Sequence, residues 1–191
     1  MSDVEFEEHS EPFYRKPERK SVAEILSSDS GDAALDRYKA SLLGADGTRA
    51  AEVLLDPTDR RVVLPRTLEL LVGGEVKDAI DLEKNREGAI MRLKEGTQYQ
   101  LRLGFHVQRE IVTGLRYIHK VSKMGVNVEK ESYMIGSYGP KLELQYYKTP
   151  MDKAPEGMMQ RGKYKIKSKL IDDDGNEYLV WQWHLEIVKE W

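Results

Sequence analysis

Near its C-terminus the chain reads WQWHLEIV, and its first seven residues alternate without a break. Trp181, Trp183, Leu185 and Ile187 fall on one side, and Gln182, His184 and Glu186 on the other. Alternation of period two is the signature of a strand with one face buried, because successive side chains leave a strand on opposite faces. YQLRLGFHV repeats it with Tyr99, Leu101, Leu103, Phe105 and Val107, KLELQY with Leu142, Leu144 and Tyr146, and KYKIKSKL with Tyr164, Ile166 and Leu170 against a lysine face. Further strands are expected at 52–55, 61–64, 67–72, 76–82, 89–94 and 111–121. Turn residues stand between them in VGGE, KEGT, YGP and DDDGN. Many short strands, each with one apolar face, bury those faces by pairing two sheets, so the pattern predicts an all-β antiparallel sandwich over residues 51–191.

The first fifty residues follow a different rule and are expected to form a flexible regulatory arm. Residues 1–20 are acidic, then basic, and poor in apolar groups, a composition that does not fold alone. In KSVAEIL, Ser21 and Glu24 make a capping box ahead of Val22, Ile25 and Leu26. DAALDRYKASLLG reads as a second helix, with Asp32 as N-cap, Gly44 as stop, and Leu35, Tyr38 and Leu42 on one side. Helices this short are unstable in water by themselves, so the pair must dock on its own domain or on a partner.

Several function classes lack support. The chain has no cysteine, which removes disulfides and thiolate chemistry. Its net charge of -3 argues against general nucleic-acid affinity, and the lysine row of KYKIKSK reads as the solvated side of a strand. No apolar run approaches the length of a membrane span, the N-terminus is too polar for a signal peptide, and no lipidation motif is present, so a soluble cytoplasmic protein without stable membrane insertion is expected. No nucleophile elbow, phosphate loop or zinc motif occurs, so no catalytic residue, metal ligand or cofactor is assigned and an enzyme is not expected. His106 and His184 are expected to be solvated. DDDGNE lacks the spacing of a calcium loop and reads as a hairpin turn, though three adjacent carboxylates suit a cation or a partner's basic side chain.

Two readings of the indoles remain open. They can fill the roughly 10 Å between two sheets as core, or they can border an apolar cavity that holds a ligand. Candidate walls recur on other segments at Leu70, Met91, Tyr99, Ile111, Met159 and Ile166, and thioethers adapt well to an irregular guest.

Longer motifs add a resemblance. YRKPERKSVAEIL, DRYKASLLG, LKEGTQYQLRLGFHVQREIVTGLRYIH, YMIGSYGP, KTPMDKAPEGMMQRGKYKIKS and DDDGNEYLVWQWHLEIVKEW are together similar to the Rho GDP-dissociation inhibitors, from about Tyr14 to Trp191. The resemblance implies an immunoglobulin-like sandwich behind a regulatory arm. It implies binding of prenylated Rho-type GTPases, preferably GDP-bound, as a monomer forming a one-to-one complex, with the geranylgeranyl group taken between the sheets, the GTPase extracted from membranes and GDP release slowed. The implied lipid pocket is Leu70, Met91, Ile111, Tyr133, Met159, Ile166 and Trp183. The implied GTPase contacts are Asp32, Leu35 and Tyr38 in the arm, Glu129 where relatives usually carry Asp, and Asp173 and Asp174 in the acidic turn. Met91 replaces a more usual Phe, and Lys163 stands where some relatives have a phosphorylatable Ser. The rival reading is a prenyl-binding cargo chaperone resembling the phosphodiesterase delta subunit, which would not need the two-helix arm.

Overall fold

The computed structural model describes Arg37, which is helical and exposed, and residues 55–191. The expected arm helices and their residues Asp32, Leu35 and Tyr38 lie outside the described residues, as do residues 52–54 of the first expected strand.

Residues 63–188 carry the strands β1 (Val63–Val72), β2 (Glu75–Asp81), β3 (Ile90–Lys94), β4 (Gln98–Val107), β5 (Val112–Lys123), β6 (Val126–Tyr138), β7 (Gln145–Lys148), β8 (Asp152–Lys153), β9 (Gly162–Ile171) and β10 (Glu177–Val188). One sheet runs β2-β1-β4-β7, with the short β8 also paired to β4; the other runs β3-β10-β9-β5-β6. The expected sandwich is therefore present. Its pairings are antiparallel except β10 with β3, which run parallel.

The alternating segments bury the faces their patterns specify. Trp181, Trp183, Leu185 and Ile187 are all buried, and so are Leu101, Leu103, Phe105 and Val107 from the opposite sheet. Trp181 stacks on Tyr117 with ring centroids 5.8 Å apart. The two rings meet over β9, which lies between their strands, and a one-residue slip of β10 would turn Trp181 to solvent and break the stack.

Four expectations need correction. The strands expected at 61–64 and 67–72 are one strand, β1, with a register shift between Pro65 and Thr67. Pro65 has no N–H, and it is tolerated because β2 pairs with β1 only from Thr67 onward. KLELQY does not alternate as a strand: the chain bends at 142–143, Leu142 is 63% exposed, and β7 begins at Gln145. Tyr146 points outward under the guanidinium of Arg102, 4.7 Å from its ring centroid. β6 has no counterpart among the expected strands, because VNVEKES carries charges on both faces; it is an edge strand, where charge protects against unwanted pairing. His106 and His184 are half-buried, with Nδ1 of each screened from solvent and lacking a hydrogen-bond partner, and burial holds His106 below the usual histidine range.

Candidate functional site

The two sheets part at one end and leave a cavity of about 280 Å³ between them. Its floor is apolar. Leu101 comes from β4 in one sheet, and Val121, Ile166, Trp183, Leu185 and Ile187 from β5, β9 and β10 in the other. Trp183 and Ile166 are register partners, so they meet the cavity side by side. The indole N–H of Trp183 is satisfied from behind by Ser168 Oγ at 3.0 Å, which also bonds the Tyr117 hydroxyl at 3.0 Å. With its polar atom engaged away from the cavity, the indole presents hydrocarbon to it. Trp181, two residues earlier, packs on Tyr117 and does not line the cavity. The indoles therefore divide the two roles left open by sequence, one as core and one as wall.

The mouth is polar, with two carboxylates and the neighbouring Lys153. Glu129 on β6 and Asp152 on β8 approach it from opposite sheets. Tyr99 donates its hydroxyl proton to Asp152 Oδ2 at 2.9 Å. Burial raises the Glu129 carboxyl above the usual range, and the charges of Asp152 and Glu131 add to the effect. His119 lies inward between Tyr117 and Val121, its ring edge-on to Tyr117 and Tyr133 at 5.5 and 5.6 Å. Burial pushes its pKa down to about 4 against a smaller opposing influence of Asp152, so it is neutral at pH 7. A third wall is the segment after β8, which contributes Pro155 and Gln160. It is pinned by Arg161 on Glu95 at 2.7 Å, by the Gly157 N–H on Glu95 at 3.0 Å, and by Tyr164 Oη on the Gln160 carbonyl at 2.7 Å. Hydrocarbon below and carboxylates at the opening suit a ligand with a greasy end and a basic neighbour.

The pocket residues implied by resemblance fall into groups. Ile166 and Trp183 line the cavity. Leu70 and Met91 are fully buried one strand behind it, paired respectively with the lining residues Leu101 and Leu185. Tyr133 is half-buried and stacked on Tyr117 at 6.3 Å. Met159 lies in a 3-10 turn, Met158–Gln160, and is 87% exposed, while its neighbour Gln160 reaches the cavity. Ile111 is half-buried just ahead of β5, ten residues and about 30 Å along that strand from Val121.

The acidic residues are similarly divided. Glu129 belongs to the mouth. The turn 172–176 closes the far end of the β9–β10 hairpin, about 20 Å along β10 from Trp183. There Asp172 is buried and caps the turn, accepting from the Asn176 N–H at 2.8 Å and the Tyr178 hydroxyl at 2.5 Å. Asp173 is exposed and paired with Arg116 at 2.6 Å. Its carboxylate occupies the space where a side chain at Gly114 would begin, so Gly114, at φ +60°, has to lack one. Asp174 is half-exposed.

Comparison with known proteins decides between the readings. The family model described as RHO protein GDP dissociation inhibitor matches residues 1–190. The chain belongs to the Rho GDP-dissociation inhibitor family. A probable rho GDP-dissociation inhibitor of Caenorhabditis elegans is 48% identical over the full length of both chains. Rho GDP-dissociation inhibitor 1 of Bos taurus is 41% identical over all of this chain and 92% of its own length, and Rho GDP-dissociation inhibitor 3 of Homo sapiens is 35% identical over 94% and 79%. Within this inhibitor-family sandwich, sequence reasoning missed His119, Val121 and Asp152 as site residues. The first two were within reach, since the alternation of β5 sets Tyr117, His119 and Val121 on one inward face. Asp152 sits in a two-residue strand that leaves no periodic signal.

Proposed function

We propose that this family member acts as a Rho GDP-dissociation inhibitor by sequestering the geranylgeranyl group of a prenylated Rho-family GTPase between its sheets. The observation that carries the reading is the cavity itself: apolar walls from both sheets, with Ile166 and Trp183 at its floor and carboxylates at its opening. A volume of about 280 Å³ is slightly below the usual range of about 300–1,000 Å³ for ligand pockets. A long chain therefore enters by parting the sheets further, which brings Leu70 and Met91 behind the present lining into contact with it.

Each methylene moved out of water gains about 0.8 kcal/mol, in a bilayer as in a protein cavity. Lipid burial alone thus gives little advantage over the membrane, and the surplus comes from protein contacts. In this reading Glu129 meets the basic residues that precede the lipidated end, while Asp32, Leu35 and Tyr38 of the arm, with Asp173 and Asp174, meet the GTPase surface. An arm docked on the switch segments slows GDP release because release requires those segments to move. The complex is one-to-one, forms preferentially with the GDP-bound GTPase, and resides in the cytoplasm. Among the described residues, no helix is long and apolar enough to cross a membrane.

Co-purification of the full chain with prenylated and unprenylated Rho GTPases tests the proposal. Strong retention of the prenylated form over the unprenylated one is expected. Equal retention of both, or of neither, contradicts it.

A further inference from the structure

The β5–β6 hairpin runs past the cavity and ends in a feature that its own fold does not use. Its two-residue turn is Met124-Gly125, with φ of 51° and 83°. Positive φ at both positions favours Gly, Asn or Asp, and a long apolar side chain is a poor choice there. Met124 is nonetheless 95% exposed. Val126, the register partner of Lys123, is 65% exposed, and Val128 is 55% exposed and lines the cavity. An apolar stripe therefore leads from the cavity wall to the tip of the molecule.

Across the mouth, the turn Met158–Gln160 holds Met158, 80% exposed, and Met159. The two sides are tied together: Lys123 Nζ donates to the Met159 carbonyl at 2.7 Å and lies 4.6 Å from the Tyr164 ring centroid. The methionines thus form one lip around an opening whose inside is apolar. Thioether side chains conform to irregular and fluid surfaces. Lys163 and Lys165 are exposed on the outer face of the same end of β9, while Glu129 and Asp152 point to the opening.

We infer that this lip, Met124, Val126 and Met158 with Met159, docks transiently on the surface of a lipid bilayer. The inference rests on the reading of the cavity as a site for a lipid chain. A chain leaving a bilayer for a cavity some distance away exposes its methylenes to water in transit, whereas a lip seated at the headgroup level offers a continuous apolar path. The outer lysines face the anionic headgroups, and Glu129 at the mouth faces the basic residues beside the lipid. The occupant is a membrane rather than a protein because the exposed apolar groups are flexible, lie on two separate turns, and are continuous with the lipid route.

The test uses the full chain and the variant M124E/M158E, with M124L/M158L as control. Binding to vesicles of phosphatidylcholine with phosphatidylserine is read by sedimentation. Affinity for a soluble geranylgeranylated peptide and for an unprenylated Rho GTPase is read by titration. The expected result is roughly tenfold or greater loss of vesicle binding for the glutamate variant, with the leucine variant near wild type and both soluble affinities unchanged. Extraction of the prenylated GTPase from the same vesicles slows accordingly. Equal vesicle binding by wild type and glutamate variant, or no vesicle binding by wild type, overturns the inference. So does loss of GTPase affinity in the glutamate variant, which would make the lip a protein contact. Failure of the wild type to bind the soluble peptide would instead refute the lipid cavity itself.

Discussion

Trp183 on β10 reaches diagonally to Ser168 on β9, two residues from its own register partner Ile166, and its indole N–H donates to the serine hydroxyl at 3.0 Å with both residues fully buried. The same hydroxyl bonds Tyr117 at 3.0 Å, so one small polar atom satisfies two large aromatic side chains. Ser168→Ala is expected to leave these groups buried without a partner and to destabilise the fold by about 1–3 kcal/mol. Urea denaturation measures this as a lower midpoint with an unchanged slope; an unchanged midpoint would show that the bond contributes nothing net.

His119 makes stability depend on pH. Its folded pKa is about 4, below the ordinary value of about 6.5. The unfolded chain binds the extra proton between those values, so stability is complete above pH 6.5 and declines as pH falls toward 4. The loss from this group amounts to at most about 3 kcal/mol. His119→Phe, which keeps a ring against Tyr117 and Tyr133, is expected to flatten the stability profile between pH 7 and 4.5. A variant with the wild-type slope would remove His119 as its cause.

Gln108 fastens the segment that leads into the sandwich. Its side chain is fully buried; its Oε1 accepts from the N–H groups of Leu55 and Asp56, both at 3.1 Å, and its Nε2 donates to the carbonyls of Asp59 and Arg61, both at 2.9 Å. Gln108→Leu is expected to cost about 1–3 kcal/mol and to speed tryptic cleavage at Arg60 and Arg61. If limited proteolysis proceeds at the wild-type rate, the clasp is not what holds this segment.

The sandwich was legible where one face of a strand is apolar and the other polar. β4, β9 and β10 satisfy that condition, and it put Ile166 and Trp183 on inward faces while leaving open whether they fill the core or line a cavity. β6 failed it because an edge strand borders solvent over most of its length, and in VNVEKES the alternation of Val126 and Val128 stops at Lys130, which leaves charges on both faces. KLELQY alternates but does not pair where it alternates, since Leu142 and Leu144 precede β7. The cavity residues contributed from loops left no periodic trace. Asp152 enters the site because β8 pairs with β4 at Tyr99, a contact across more than fifty residues that depends on topology.

The carboxylate at the mouth has a direct test. Glu129→Lys places a cation where the proposed ligand carries its own basic residues. Affinity for a geranylgeranylated peptide with an upstream lysine cluster is expected to fall about fivefold, roughly 1 kcal/mol, with the difference shrinking at high salt. A peptide without the lysines is expected to bind both proteins equally. If both peptides respond alike, Glu129 does not read charge.

The most direct measurement is a titration of a geranylgeranylated Rho C-terminal peptide into the wild type and into Ile166→Trp, which fills the cavity beside Trp183. The wild type is expected to bind and the variant to lose at least about tenfold in affinity, while remaining folded and keeping its affinity for unprenylated GTPase. Equal binding by the two proteins, or none by the wild type, would mean that the space between the sheets is not where the lipid goes.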